Sequence, residues 1–278
     1  MWEGWHNSVA LLATRHGKET VIGPLLHQHL GIRVEVVDID TDQFGAFSRE
    51  RPRPGDPMAT LRLKIESALK VKDAPLGLAS EGSFGPHPQL PWLAWNQEWV
   101  MLRDRIQGLE LVGWADSSRT NFSHRHVTTV AEALAFAQQV GFPEHGLMAL
   151  DDPQQPRVIH KGIQDEDTLR AVFNELNTGG QGVHLETDMR AMCNPSRLQV
   201  IAAATQNLIA RAQSLCPACG TPGYWRIRSL SGLPCGDCGA PTPLPKAWIY
   251  GCLRCSHSHQ EPVRDPWADP AQCAFCNP

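Results

Sequence analysis

"SVALLATRHGKE", residues 8–19, decides how the N-terminal part of this chain folds. Ser8 to Thr14 carry no charge and read as a buried strand. A short polar loop follows, and Lys18 opens a helix-like stretch that reaches Leu30 and stops at Gly31. A buried strand that runs through a loop into a helix is the first unit of an open sheet with helices on its faces. Gly23-Pro24 predicts a kink or a break within that helix.

The segments further along fit the same plan. "IRVEVVDI" (32–39) alternates and reads as a strand. Asp56-Pro57 has the form of an N-cap with proline at the first helical position, opening a helix to about Lys70. "PLGLAS" (75–80) and "EWVMLRD" (98–104) read as strands, and the polar stretch from Ser80 to Pro88 between them reads as an active-site turn. Thr129 to Val140 is Ala-rich and helical, "GLMAL" and "PRVIH" form a hairpin, and Asp165 to Asn177 is helical. "GVHLETD" is a last strand before Asn194-Pro195 caps a helix to about Gln213. The expected fold is an α/β N-terminal domain with a mixed sheet, residues 1–214, followed by a small double zinc-ribbon module, residues 215–278.

The chain has 278 residues, 42% hydrophobic and 19% charged, as in an ordinary globular protein. A net charge of -4 does not suggest a polyanion binder. No apolar run approaches the ~18 residues of a membrane span. The start carries Glu3 and no basic region, so a signal peptide is not expected and the cytoplasm is.

Eight of the nine cysteines fall as four Cys-x-x-Cys pairs: Cys216/Cys219, Cys235/Cys238, Cys252/Cys255 and Cys273/Cys276. Each pair offers two thiolates to a tetrahedral ion, so the expectation is two closed, structural zinc sites. Sequential pairing of the knuckles is the simplest arrangement, and interleaved pairing fits the spacing as well. His257 and His259 are expected at the surface. From Cys216 onward five Lys/Arg face four Asp/Glu, so a protein contact is expected of this module rather than nucleic acid.

Three N-terminal segments carry the chemistry: "LLATRHGKE" (11–19), "GDPMATLRLKIESAL" (55–69) and "GLASEGSFG" (77–85). Their order, a strand running into Thr-x-x-x-Lys, a capped helix with Thr60 and Lys64, and a strand ending at Ser-Glu-Gly, resembles the inosine/xanthosine triphosphate pyrophosphatase superfamily. The resemblance implies that Thr14 and Lys18 hold phosphate, that Lys64 faces the site, and that Glu81 binds magnesium or activates water. Arg15 stands where that family has asparagine. Longer stretches, "DTDQFGAF" (40–47), "ASEGSFGPHP" (79–88), "ETDMRAMCNPSR" (186–197) and "GLPCGDCGAPT" (232–242), resemble a bacterial zinc-ribbon-tailed family of unknown function. That family usually has Gly-Thr-Phe where this chain has Gly45-Ala46-Phe47.

From the residues themselves, a lysine at a helix start is suited to anions. Asp38, Asp40 and Asp42 alternate along an extended segment, and three carboxylates on one face fit magnesium with a substrate phosphate, or simply cap turns. Ser83 adds a hydroxyl. Arg190 and Arg197 either clamp phosphate or pair with Glu186 and Asp188. "TNFSHRH" (120–126) suits a ligand loop or a solvated one. Cys193 is expected to be a buried thiol, and His87 a base or a rigid surface residue. The expected function is magnesium-dependent hydrolysis of a nucleotide or similar phosphorylated small molecule, with Glu81, Asp40 and Asp42 as catalytic groups. The alternative is a nucleotide-sensing or protein-interaction module without turnover.

Overall fold

The computed structural model describes residues 3–44 and 55–278, without the side chains of Glu3 and Asp42. Gly45-Ala46-Phe47 therefore lies outside the described residues. The chain forms two compact units, Trp5–Ile209 and a second built on Ala210–Pro278.

The first unit begins with β1 (Val9–Ala13), α1 (Glu19–Leu30), β2 (Arg33–Val37), α2 (Pro57–Val71), β3 (Leu76–Pro86), β4 (Ala94–Asp104) and β5 (Leu109–Ser117). They make a five-stranded sheet of order β2-β1-β3-β4-β5. β1 is parallel to both β2 and β3, whereas β4 and β5 run antiparallel, so the sheet is mixed. β1 lies between two parallel neighbours with four of its five residues buried, which requires the uncharged run seen in the sequence.

The two helices lie on opposite faces of this sheet. Ile65, Leu61 and Ala68 of α2 pack with Leu11, Ala13, Ala79 and Met101. Gly23 of α1 lies against Val34, which pairs with Ala10 and so faces the other way. α1 is continuous with Pro24 inside it, not broken as Gly23-Pro24 predicts. It ends at Gly31, whose φ of 67° is a left-handed cap that favours glycine. α2 starts where the Asp56 carboxylate accepts from the Ala59 amide at 2.8 Å.

A second sheet follows: β6 (His124–Val127), α3 (Val130–Gln139), β7 (Leu147–Leu150), β8 (Ile159–Ile163), α4 (Glu166–Leu176) and β9 (Val183–Thr187). Its order is β6-β9-β7-β8 and all its pairs are antiparallel. The sequence implies one sheet here; there are two, because β7 and β9 bury their apolar face against α3 and α4 rather than extending the first sheet. α3 opens with a reciprocal capping box between Thr129 and Glu132. α5 (Pro195–Gln213) then crosses the first sheet. It approaches so closely that a Cβ on Gly113 of β5 would lie 2.3 Å from the Ala204 carbonyl oxygen.

The second unit holds β10 (Trp225–Ser231), β11 (Pro245–Gly251) and β12 (Ser258–Pro262), an antiparallel sheet in that order. Among the described residues no helix is long and apolar enough to cross a membrane.

Candidate functional site

The strand order 2-1-3 places β1 between two strands reached in opposite directions by helices on opposite faces. The place beyond the carboxyl end of β1, where β3 runs on past it, is therefore a topological switch point, where open α/β sheets bind ligands. Lys18 and Glu81 both stand there.

Glu81 is not in a turn. β3 continues through Gly82, Ser83, Phe84 and Gly85 to Pro86, and pairs with β4 along its whole length. The turn comes later, where His87 Nδ1 accepts from the Gln89 and Leu90 amides and its ring meets Trp95 edge-on. His87 is thus a rigid part of the hairpin. "PLGLAS" and "EWVMLRD" each cover only part of an eleven-residue strand, and in β3 strand pairing compensates the weak propensity of Gly and Pro.

Three cations and two carboxylates gather at the switch point, and all five are buried: Lys18, Lys64, Arg197, Glu81 and Glu98. Lys64 reaches from α2 to pair with Glu81 on one face of β3. On the other face, Arg197 Nε donates to Glu98 Oε1 at 2.7 Å, and both side chains are fully excluded from solvent. Arg197 also donates to the Met189 carbonyl and lies 5.3 Å above the Phe84 ring, which stacks on Phe122. Gly82 makes room for this pair, since a Cβ there would fall 2.5 Å from both Arg197 Nη2 and Glu98 Oε1. Lys18 Nζ donates to the Ser80 carbonyl at 3.3 Å. Burial, then the charges of Arg197 and Lys64, push the Lys18 ammonium down to about 7, against the opposing pull of Glu98 and Glu81. The buried Ser80 Oγ and Asn96 Oδ1 have no hydrogen-bond partner among the described residues.

The other expected residues are placed differently. Thr14 is buried and accepts from the His16 amide at 3.4 Å, and Ser83 is half-buried on β3. Thr60 is buried, with its hydroxyl bound to the Asp56 carbonyl. Arg190 is no free clamp: its guanidinium grips Asp188 at 2.6 Å, and Asp188 also accepts from the Gly162 amide. Asp40 is paired with Arg15 at 3.1 Å, and Asp38 lies 3.8 Å from the same guanidinium. The Asp42 side chain lies outside the described residues. Among the described residues Asp38 and Asp40 face Arg15, Glu81 faces Lys64, and no group of three carboxylates comes together. Cys193 is buried, its thiol pushed up by burial and by Asp188, which does not suit a nucleophile. Asn121 of the "TNFSHRH" segment accepts from Asn194 at 2.9 Å, and His124 to His126 lie in β6.

Sequence reasoning missed Glu98 as a site residue. The signal was parity: Glu98 shares one side of β4 with Val100 and Leu102, both wholly buried.

The cysteines form two tetrads, Cys216/Cys219/Cys252/Cys255 and Cys235/Cys238/Cys273/Cys276. The pairing is interleaved, first knuckle with third and second with fourth. This overturns the simplest, sequential arrangement; the antiparallel strands β10 and β11 return the chain so that the third knuckle meets the first. Sγ–Sγ separations are 3.7 and 3.6 Å in the first tetrad, and 3.8 and 3.6 Å in the second. Four sulfurs ~2.3 Å from one zinc lie about 3.8 Å apart, so the donor set fits a closed tetrathiolate zinc site. Two knuckles turn at glycines with left-handed φ, Gly220 at 70° and Gly239 at 72°. Thr221, through its hydroxyl and backbone, draws the Cys219 thiol down to about 6, and the backbone amides of Cys276 and Phe275 draw Cys273 down to about 7. His259 bonds the Tyr224 hydroxyl and is no ligand.

These features define an α/β protein with a doubly wound parallel half, a buried ion cluster at its switch point, and a cross-braced module able to hold two structural zinc ions. The chain belongs to the family of the domain of unknown function DUF6671, whose model matches residues 64–278. The match includes Lys64, Glu81, Glu98, Arg197 and all eight paired cysteines, and begins after β1 and α1. No curated protein matches the chain. The likeness to the triphosphate pyrophosphatases has no counterpart in these comparisons.

Proposed function

We propose that the switch-point site binds the phosphate of a nucleotide or similar phosphorylated small molecule. The observation that supports this most is the excess of buried cation, Lys18, Lys64 and Arg197 against Glu81 and Glu98. A buried ammonium held down near neutrality carries an energetic cost that an arriving anion relieves. Ser80 Oγ and Asn96 Oδ1 supply unused polar atoms, the hydroxyl for an oxygen and the amide carbonyl for a ligand donor.

Hydrolysis follows if the phosphate takes Lys64 away from Glu81. The released carboxylate then accepts a proton from water attacking phosphorus as the opposite bond from phosphorus to the leaving oxygen breaks, with Lys18 and Lys64 neutralising charge on the phosphoryl and departing oxygens. Binding without turnover is the second reading. It is favoured by the ion pairing of both buried carboxylates, which leaves no ready base before ligand enters.

The deciding experiment is a panel of nucleotides and sugar phosphates, with and without magnesium, read by thermal shift and by release of phosphate and pyrophosphate. Ligand-dependent stabilisation that Lys18→Ala abolishes supports the site, and turnover that Glu81→Gln lowers about a hundredfold supports hydrolysis. Stabilisation without turnover supports the sensor reading. If no phosphorylated compound binds, the phosphate reading is wrong.

A further inference from the structure

The C-terminal sheet presents a face of aromatic and basic side chains, none of them among the zinc-ligand tetrads. Its register aligns Arg226, Tyr250 and His259 in one cross-strand row, and Ser229, Trp248 and Glu261 in the next. Lys246 lies two residues before Trp248 and shares the face. The Arg226 guanidinium sits 3.7 Å above the Trp248 ring. Tyr250 and His259 stack with centroids 5.0 Å apart and planes 13° apart, and Tyr224 adjoins His259 at 5.5 Å. Arg226, Lys246 and His259 are exposed, and Trp248 and Tyr250 half-buried.

The module's near-neutral total hides a segregation of charge. Arg226, Arg228, Lys246 and Arg254 lie on the three strands and the knuckle between β11 and β12, where Glu261 is the one acid. Asp237, Asp265 and Asp269 lie in the segments that carry the second tetrad, with Arg264. From this interleaving of rings and cations we propose that the face carrying Arg226, Lys246, Trp248, Tyr250 and His259 binds single-stranded nucleic acid. Bases stack on aromatic side chains whatever their sequence, while the cations track the phosphates. Only unpaired bases offer that stacking. An acidic protein surface would use the cations and leave the aromatic rows without a role.

The test uses the full zinc-loaded chain and fluorescently labelled single strands of about 12 nucleotides, DNA and RNA, read by anisotropy. With roughly three phosphates engaged, the slope of log affinity against log salt is about −2, a loss of roughly fifteenfold between ~50 and ~200 mM salt. Arg226→Glu with Lys246→Glu should abolish binding while two zinc ions stay bound, and Trp248→Ala should weaken it about tenfold. If the charge reversals cost zinc, Arg226→Gln with Lys246→Gln gives the same reading more gently. Lys70→Gln, at an exposed cation of α2 in the other unit, should leave oligonucleotide binding unchanged. The proposal is overturned if neither strand binds at low salt, if binding survives loss of both cations, or if polyglutamate competes as well as the oligonucleotide.

Discussion

Arg197 and Glu98 stand 99 residues apart in the chain, yet Arg197 Nε and Glu98 Oε1 are 2.7 Å apart in a fully buried ion pair that ties α5 to β4. The pair lies directly over Gly82. Removing one partner strands a charge away from water, which costs far more than the pair itself contributes. Arg197→Met and Glu98→Gln should each destabilise the protein by roughly 3–5 kcal/mol, and Arg197→Met with Glu98→Gln by less than the two single losses combined. Urea unfolding of the four proteins of this cycle measures it. Additive losses would mean that the two residues act independently.

Gly82→Ala should be destabilising by about 1–3 kcal/mol, because the new methyl meets the guanidinium and carboxylate well inside contact distance. Gly85→Ala, three residues on along the same strand, has nothing within 4 Å of its added carbon and should change stability by no more than about 0.5 kcal/mol. Similar thermal midpoints for the two variants would show that the ion pair shifts aside freely.

Lys18 should make the protein's stability depend on pH. Its ammonium ionises near 7 when folded, against an ordinary value of 10.5, with Arg197, Lys64, Glu98 and Glu81 around it. The unfolded chain therefore binds more protons between these values, and stability rises with pH across that window. The cost of charging Lys18 is fully present below about 7 and is gone above 10.5. Lys18→Met should accordingly be more stable than the parent at pH 6, by on the order of a few kcal/mol, with the advantage shrinking toward pH 10. Thermal melts at three pH values decide it. A methionine variant less stable at pH 6 would mean that the ammonium is satisfied where it lies.

The interleaved tetrads make a prediction that sequential ones do not. Cys216→Ser should release one of two zinc ions and expose Cys252 and Cys255 to alkylation, while Cys235, Cys238, Cys273 and Cys276 stay protected. Native mass spectrometry counts the ions, and peptide mapping locates the alkylated thiols. Labelling of Cys235 and Cys238 in place of Cys252 and Cys255 would contradict the cross-braced arrangement.

Local chemistry was legible in the sequence. The uncharged run Ser8–Thr14 meant a buried strand because only a strand between parallel neighbours excludes water from both sides. Asp56-Pro57, Thr129 and Asp165 announced helix starts because a side-chain oxygen satisfies an amide the helix cannot. The Cys-x-x-Cys pairs announced metal knuckles for the same local reason. Lys18 stood out as a cation at a helix start, whereas Lys64 entered only through the likeness to the triphosphate pyrophosphatases.

The partners of these groups were decided only by the tertiary structure, because they depend on which strands lie side by side. Nothing within a few residues of Glu98 identifies Arg197 as its counter-ion; that needs β4 beneath α5. Glu81 looked like a turn residue until pairing with β4 extended β3 through Gly82 and Gly85. The knuckles' spacing admitted two pairings, and the antiparallel return of β10 and β11 selected one. Asp38 and Asp40 looked able to share a cation, and Arg15 occupies that role instead. In each case the sequence set what a side chain can bind, and the close packing of distant segments, which fixes distance and excludes water, set what it does bind.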